Sequence, residues 1–447
     1  MQTPICDFVK KYLNSNPLRM HMPGHKGTNF LGCEKYDLTE IDGADNLYAP
    51  EGIIQQSEKN ASELFNANTF YSTEGSSLCI KAALFLAIKN FKSNDKGKPV
   101  IFAGRNAHKA FISASALLDF DVVWLQDENS ETFLSCNISA TYLDEVLSRA
   151  EKKPAAVYIT TPDYLGCMLD VKSIKRICEK YGVLLIVDNA HGAYLNFLQE
   201  NVHPIALGAD ICLDSSNKTL TALTGGAYLH VSKSAPESLI MDAKDALSLF
   251  GSTSPSYLIL QSLDALNQFL ASDYKQKLSD TVSKISKLKN KLIKQGYVFY
   301  GNEPMKITFC AKKFGYTGNE LSALLKSNNV FVEFFDQDYV VLMPTTETTS
   351  AQFKRLEKVF SSIKKRPELL NLPPKTYLPK KLLSVRNATL SPCETIPINL
   401  ALGRIIAEVS INCPPAVPII VSGEIIDDSV IERFNYYNIK DVKVVKK

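Results

Sequence analysis

No CxxC pair occurs among the ten cysteines, which are scattered from Cys6 to Cys413. That spacing disfavours both a compact thiolate zinc site and a disulfide-stapled small domain, and it fits a reducing compartment. An excess of one charge is missing as well. Lysine and arginine total 50 against 47 acidic residues, and a net charge of +3 is too small to imply a surface built for nucleic acid. No apolar run reaches membrane length, and the opening MQTPICDFVKKYLNSNP has no long apolar core behind a basic start. The sequence thus reads as a cytoplasmic protein with neither a membrane nor a nucleic-acid partner. What it does have is bulk: 447 residues, 45% of them hydrophobic, are enough for a large buried core and too many for a small binding module.

Aromatic and leucine positions around 7–13 suggest a helix, followed by the turn-rich loop RMHMPGHKG at 19–27. GIIQQSEKNASELFNA predicts an amphipathic helix, and TFYSTEGSSLCIKAALFLAIKNF a short strand or loop opening onto another. PVIFAG, DVVWL, AAVYITTP and VLLIVDNA then alternate with helices at about 109–118, 142–151 and 171–181. Such alternation predicts a mostly parallel sheet covered by helices. GADICLDSS and GGAYLHV continue the strands, and 254–294 carries a long, interrupted helical pattern. Beyond it, strand-like NVFVEFF and YVVLMP with helices near 318–326 and 351–363 predict a smaller sheet. The closing region is broken by prolines, while its apolar runs predict packing against the body. The expected class is α/β, a large mostly parallel-sheet domain with a smaller α+β C-terminal portion. Its expected divisions are 1–50 (N-terminal helix and loop), 51–290 (large domain), 291–365 (small α+β domain) and 366–447 (C-terminal packing domain).

The chemistry concentrates in VDNAHGA at 187–193 and DSSNKTLTALTGG at 214–226. An acid follows one apolar strand and a lysine follows the next. If the strands share a carboxyl edge, an aromatic aldehyde cofactor fits between Asp188 and Lys218. A loop-capping Asp188 and a surface Lys218 would explain the same spacing. In the first reading the Lys218 amine bonds the cofactor, and Asp188 keeps its pyridine nitrogen protonated so that the ring draws electrons. Lysine ordinarily titrates near about 10.4, so that site needs desolvation or nearby positive charge. Thr73, Gly75 and Ser76 in YSTEGSS offer donors to a phosphate at a helix entrance, or else an ordinary cap.

RMHMPGHKG, YSTEGSS, GRNAHKA, TPDYLG, VDNAHGA, SSNKTL and TSPSY occur in one order, followed by SPCETIPINLALGRIIAEV and CPPAVPIIVSGE. Together they resemble the Orn/Lys/Arg decarboxylase family, pyridoxal-phosphate enzymes of the aspartate-aminotransferase fold (fold type I). The resemblance spans most of the chain. It implies pyridoxal 5'-phosphate as cofactor, decarboxylation of a basic L-amino acid (arginine, lysine or ornithine) to its amine, and a homodimer with active sites near the interface. By motif it implies the Schiff-base role for Lys218, the pyridine-nitrogen partner in Asp188, a ring-stacking His108 and a pocket position for His191. Phosphate contacts would come from Thr73, Gly75, Ser76 and Ser215, with 253–257 of the partner chain as a further source. Asn217 stands where many members carry histidine, and it supplies a hydrogen bond but no titratable positive charge. Ala416 stands where glycine often follows the paired prolines, which removes conformational freedom.

Arg19, His21, His25 and Lys26 would stand at the pocket mouth to hold a carboxylate or phosphate, or would belong to a structural turn around Pro23 and Gly24. His21 and His25 have the spacing of ligands on one helix face, but the Pro-Gly between them disfavours that helix, and no metal is expected. Asp42 and Asp45 would meet a cationic substrate tail or, equally, belong to an ordered solvated loop, and the resemblance adds Glu408 and Glu424 as further candidates because the family's C-terminal domain helps enclose substrate. Two other functions remain open at this point. One is an aminotransferase or another pyridoxal-phosphate amino-acid enzyme; the other, motivated by Asn217 and the altered C-terminal segment, is a catalytically inactive interaction or regulatory protein on the same fold.

Overall fold

A computed structural model describes residues 1–91, 97–126, 132–375, 377–413 and 417–446. Ala416 lies outside the described residues. The helix α1 (Pro4–Asn14) buries Ile5 and Val9, and α2 (Ile53–Phe65) buries Ile54, Ala61 and Phe65 along one face. Strand β1 (Asn68–Ser72) leads into α3 (Gly75–Lys89), whose apolar residues surround the helix so that most of it is buried.

Alternation then follows the pattern in the sequence: β2 (Val100–Gly104), α4 (Lys109–Leu118), β3 (Asp121–Leu125), α5 (Ala140–Ser148), β4 (Ala156–Thr160), α6 (Val171–Tyr181) and β5 (Leu184–Asp188). The expected helix at 142–151 starts earlier because the Ser139 hydroxyl accepts from Tyr142 N at 3.1 Å and caps it. Gly182, at φ +61°, ends α6 in the left-handed conformation. After β6 (Ile211–Asp214), α7 (Ser216–Thr219) and β7 (Ala227–Val231) come α8 (Glu237–Met241), α9 (Ala243–Phe250), α10 (Tyr257–Leu270) and α11 (Tyr274–Lys294).

The remainder comprises β8 (Phe299–Tyr300), β9 (Ile307–Cys310), α12 (Gly318–Ser327), β10 (Phe334–Phe335), β11 (Tyr339–Leu342), α13 (Ser350–Ser362), α14 (Val385–Leu390), β12 (Cys393–Pro397), β13 (Ser410–Cys413), β14 (Val417–Val421), α15 (Asp428–Tyr436) and β15 (Asp441–Val445). Capping boxes at Thr317 with Glu320 and at Thr349 with Gln352 fix the starts of α12 and α13. NVFVEFF forms a strand only at its end, where Phe334 and Phe335 pair with Val341 and Val340. Phe331 is 76% exposed, so its apolar spacing does not mark a buried strand.

Two compact units result, Met1–Lys92 with Leu184–Ser279, and Ser93–Val183 with Asp280–Lys447. In the first, the large-sheet strands run β1-β7-β6-β5. β5 and β6 are parallel, with Asp188 opposite Leu213, and β7 is antiparallel to both β6 and β1. Two reversals restore the original direction, so β1, β5 and β6 all end at one edge of this block. In the second unit the large-sheet strands run β4-β2-β3, all parallel. This unit also holds the small antiparallel sheet β10-β11-β9-β8 and the ribbons β12–β15 and β13–β14. Its closing region packs as expected: Ile406, Ile419, Phe434 and Val444 share a buried cluster with Phe334 and Val341. Among the described residues no helix is long and apolar enough to cross a membrane.

Candidate active site at the strand ends of the first unit

Asp188 ends β5 at 2% exposure, and its Oδ1 accepts from Ala190 N at 3.1 Å. The chain then turns tightly, with Gly192 N donating to Asn189 O at 2.7 Å, and the turn carries His191. On the neighbouring parallel strand, Ser215 follows β6 and opens the single turn α7, where Lys218 N donates to Ser215 O at 3.1 Å. Lys218 Nζ lies 3.2 Å from His191 Nε2. Asp188, His191 and Lys218 therefore gather at one strand edge, and each is at least half-buried.

The entrance to α3 reaches the same edge. Ser72 ends β1, and its hydroxyl donates to Gly75 O at 3.0 Å and accepts from Glu74 N at 3.1 Å. Gly75 takes φ +72° and donates its N–H to Gly225 O at 2.7 Å. Gly225, at φ +98°, is required there, because a Cβ would stand 2.8 Å from Thr73 O. The Glu74 side chain does not cap α3; its Oε1 accepts from Ser252 N at 2.5 Å. A Cβ built on Gly75 meets nothing within 4 Å. An uncapped entrance to a fifteen-residue helix thus adjoins open space, which suits a phosphate.

Thr73 is buried beside that entrance and Ser76 is half-buried in the first turn. The Ser215 hydroxyl donates to Asn217 Oδ1 at 2.9 Å. Ser216 Oγ and Thr219 Oγ1, which flank Lys218, are buried without a hydrogen-bond partner among the described residues. Polar atoms of a ligand would satisfy such groups. The amine, the buried carboxylate and the helix entrance together fit pyridoxal phosphate.

The other motif residues have local partners. His108, in the second unit, caps α4 by accepting from Ala110 N at Nδ1, 3.1 Å, which orients its ring. His25 meets Asp37 at 3.2 Å, His21 meets the Tyr12 hydroxyl at 2.6 Å, and Arg19 donates to Lys35 O at 2.6 Å. Lys26 donates to His21 O at 2.5 Å, so these side chains bind their own segment together. Asp45 accepts from the backbone N–H groups of Asn46, Glu51, Gly52 and Ile54, and so secures the start of α2. Asp42 is exposed. Tyr257, from TSPSY, donates its hydroxyl to Asp45 O at 2.5 Å. Glu424 is buried against Arg105 at 3.0 Å; burial pushes its carboxyl up and the guanidinium opposes that rise. Burial also raises the half-buried Glu408, against the pull of Lys443.

Sequence reasoning missed a buried polar cluster behind the edge, formed by Asp214, His203, His230 and Asn189. An aspartate closing a fully buried strand is the signal that marks it. Burial alone would raise the Asp214 carboxyl, but His203 and His230 hold it well below the usual carboxylate range. The two histidines and the aspartate stand close enough to hold a metal ion. His203 Nδ1, however, accepts the Ile205 N–H at 3.3 Å, which leaves the ring proton on Nε2, directed at Asp214. The arrangement is a hydrogen-bonded cluster.

A family model described as Orn/Lys/Arg decarboxylase, major domain, matches residues 3–310. Arginine decarboxylase of Bacillus subtilis (strain 168) is 28% identical over 464 residues, covering 96% of this chain and 92% of its own. That of Halalkalibacterium halodurans is 26% identical, with 96% and 92% covered. The constitutive lysine decarboxylase of E. coli has a TM-score of 0.80 at 16% identity, over 100% of this chain and 82% of its own. Francisella novicida lysine decarboxylase has a TM-score of 0.81 at 16% identity, over 99% and 81%. The fold is that of type I pyridoxal-phosphate enzymes, a large mostly parallel sheet with a smaller C-terminal α+β portion. A family match over residues 3–310 of 447 makes this chain a member of the Orn/Lys/Arg decarboxylase family, using pyridoxal 5'-phosphate to convert a basic amino acid into its amine and carbon dioxide.

Proposed function

We propose that the substrate is L-arginine and the product agmatine. The observation that carries this choice is the near full-length likeness to bacterial arginine decarboxylases, over at least nine-tenths of both chains. Supplying arginine, lysine and ornithine separately and measuring carbon dioxide with each amine tests it. Agmatine should form with a kcat/KM at least about tenfold above that of the other amines, a difference of about 1.4 kcal/mol in transition-state binding. Equal or faster release of cadaverine or putrescine would overturn the choice.

When bound, pyridoxal phosphate supplies an aldehyde that condenses with amines and a protonated ring that takes up the electron pair left by carbon dioxide. Lys218 would hold the cofactor covalently through its side-chain amine. Asp188, buried at the end of β5, would keep a proton on the ring nitrogen of the bound cofactor. His191, 3.2 Å from the Lys218 amine, orients that amine and exchanges a proton with it. Thr73, Gly75, Ser76 and Ser215 would hold the phosphate at the α3 entrance, where Asn217 accepts a hydrogen bond from Ser215 and brings no charge. By its motif, GRNAHKA, His108 would be the ring-stacking residue that excludes water from the cofactor.

The proposed assembly is a homodimer with active sites near the interface. Leu18, Met20, Met22, Phe30 and Leu31 stand 69–87% exposed within one N-terminal segment, a concentration that favours a covering partner. Sedimentation should give twice the chain mass. The proposed organisation is 1–50 as helix and active-site loop, 51–290 as cofactor-binding domain, 291–365 as small α+β domain and 366–447 as packing domain. A cytoplasmic location agrees with the absence of disulfides among the described cysteines.

A further inference from the structure

Asp214, Asn189, His203 and His230 are all fully buried. The two carboxylate oxygens of Asp214 have separate partners. Oδ2 accepts from Nε2 of His203 at 2.9 Å and of His230 at 3.2 Å, while Oδ1 accepts from Nδ2 of Asn189 at 2.6 Å. His230 Nδ1 is in turn 2.9 Å from Thr69 Oγ1 on β1. The carboxylate thus ties β6 to its neighbours and to the residue that follows Asp188.

Well-packed apolar side chains often replace a buried charge cluster without loss of stability, so stability alone gives weak reason for this one. Orientation gives a stronger one. Asn189 N donates to Leu213 O at 2.9 Å, Asn189 O accepts from Gly192 N at 2.7 Å, and the amide donates to Asp214. Asn189 Oδ1 has no hydrogen-bond partner among the described residues, so the bond to Asp214 is what directs the amide. Held at three points, Asn189 fixes the turn that carries Asp188 before it and His191 after it.

We propose that Asp214, acting through Asn189, is a positioning residue for decarboxylation: it sets the turn that presents Asp188 and His191 to the cofactor and Lys218. This rests on the assignment of Asp188 and Lys218 to the pyridoxal-phosphate site. Asn189→Ala deletes the bond and leaves Asp214 with both imidazoles. Asp214→Asn alone opposes two amide donors or deprives the imidazoles of their acceptor. Combining it with Asn189→Asp restores the bond with its direction reversed, retains one negative charge and keeps an oxygen for the imidazoles.

The holoenzymes are compared by kcat, KM, thermal midpoint, cofactor dissociation constant and the visible absorption of the bound cofactor. Asn189→Ala should lower kcat by about 10–100-fold with KM within about threefold, as expected when reacting groups are displaced by a fraction of an ångström to about 1 Å. It should also shift the cofactor's absorption, and the exchanged pair should recover most of both losses relative to Asp214→Asn. Parental kcat and absorption in Asn189→Ala would overturn the proposal, as would an exchanged pair no better than Asp214→Asn. If Asn189→Ala does not fold, the exchanged pair decides alone. Asp188→Asn separates the two levels: parental turnover there defeats the site assignment and this proposal together, whereas slow turnover there with normal Asn189→Ala defeats this proposal only.

Discussion

At the scale of single residues, the roles proposed for Asp188 and Lys218 differ, so the two should fail differently when replaced. Lys218→Ala should lose covalent cofactor attachment and nearly all turnover, because the anchoring amine is gone. Asp188→Asn should still bind cofactor while carbon dioxide release slows by about 10²–10³-fold, the range for loss of one preorganised electrostatic contact. Absorption spectra and product assays separate the two. A parental spectrum in Lys218→Ala, or parental rates in Asp188→Asn, would contradict these roles. Asp188 was legible as a charge closing an apolar strand, and Lys218 through its motif, SSNKTL. His203 and His230 were not, since they lie 11 and 16 positions from Asp214 and meet it only once the sheet has formed. Asp45 left two readings open, substrate partner or ordered loop, because sequence shows its charge but not the backbone N–H groups that bind it.

Among secondary-structure elements, the helices with sharp caps were the most legible, and α4 and α6 have the expected bounds because local capping decides them. Short ladders such as β10 depend on a distant partner strand, which local spacing does not reveal. The turn from β10 to β11 offers a test by pH. Asp336 Oδ1 accepts from Asp338 N and Tyr339 N, both at 2.7 Å, and its Oδ2 is buried without a hydrogen-bond partner among the described residues. Burial pushes this carboxyl from its ordinary 3.8 up to about 7. The folded form therefore holds a proton that the unfolded chain has released, and stability falls as pH rises from about 4 to about 7. Asp336→Asn keeps the accepting oxygen and removes the buried charge. It should be more stable than the parent at pH 8 by about 1–3 kcal/mol, with the difference fading near pH 4, in denaturant titrations. An equal difference at both values would contradict the assignment. At the entrance to α3, Gly225→Ala should weaken cofactor binding, because its Cβ would press on Thr73 O and displace the loop. An unchanged dissociation constant would detach that loop from the phosphate site.

For the whole molecule, the strand alternation made the α/β class readable, since a parallel sheet imposes its periodicity on the sequence. Periodicity is local, however, and does not disclose that Met1–Lys92 joins Leu184–Ser279 in one compact unit. Cofactor binding to that folded unit should stabilise it by mass action. At about a thousandfold excess over the dissociation constant the gain is about 4 kcal/mol, visible as a higher thermal midpoint for holoenzyme than for apoenzyme. Equal midpoints would mean that the folded chain does not bind the cofactor. The most direct measurement is to reduce the holoenzyme with borohydride, digest it and locate the cofactor by peptide mass. The label should fall on Lys218 alone; a label on another lysine, or none on a protein that still decarboxylates, would contradict the active site described above.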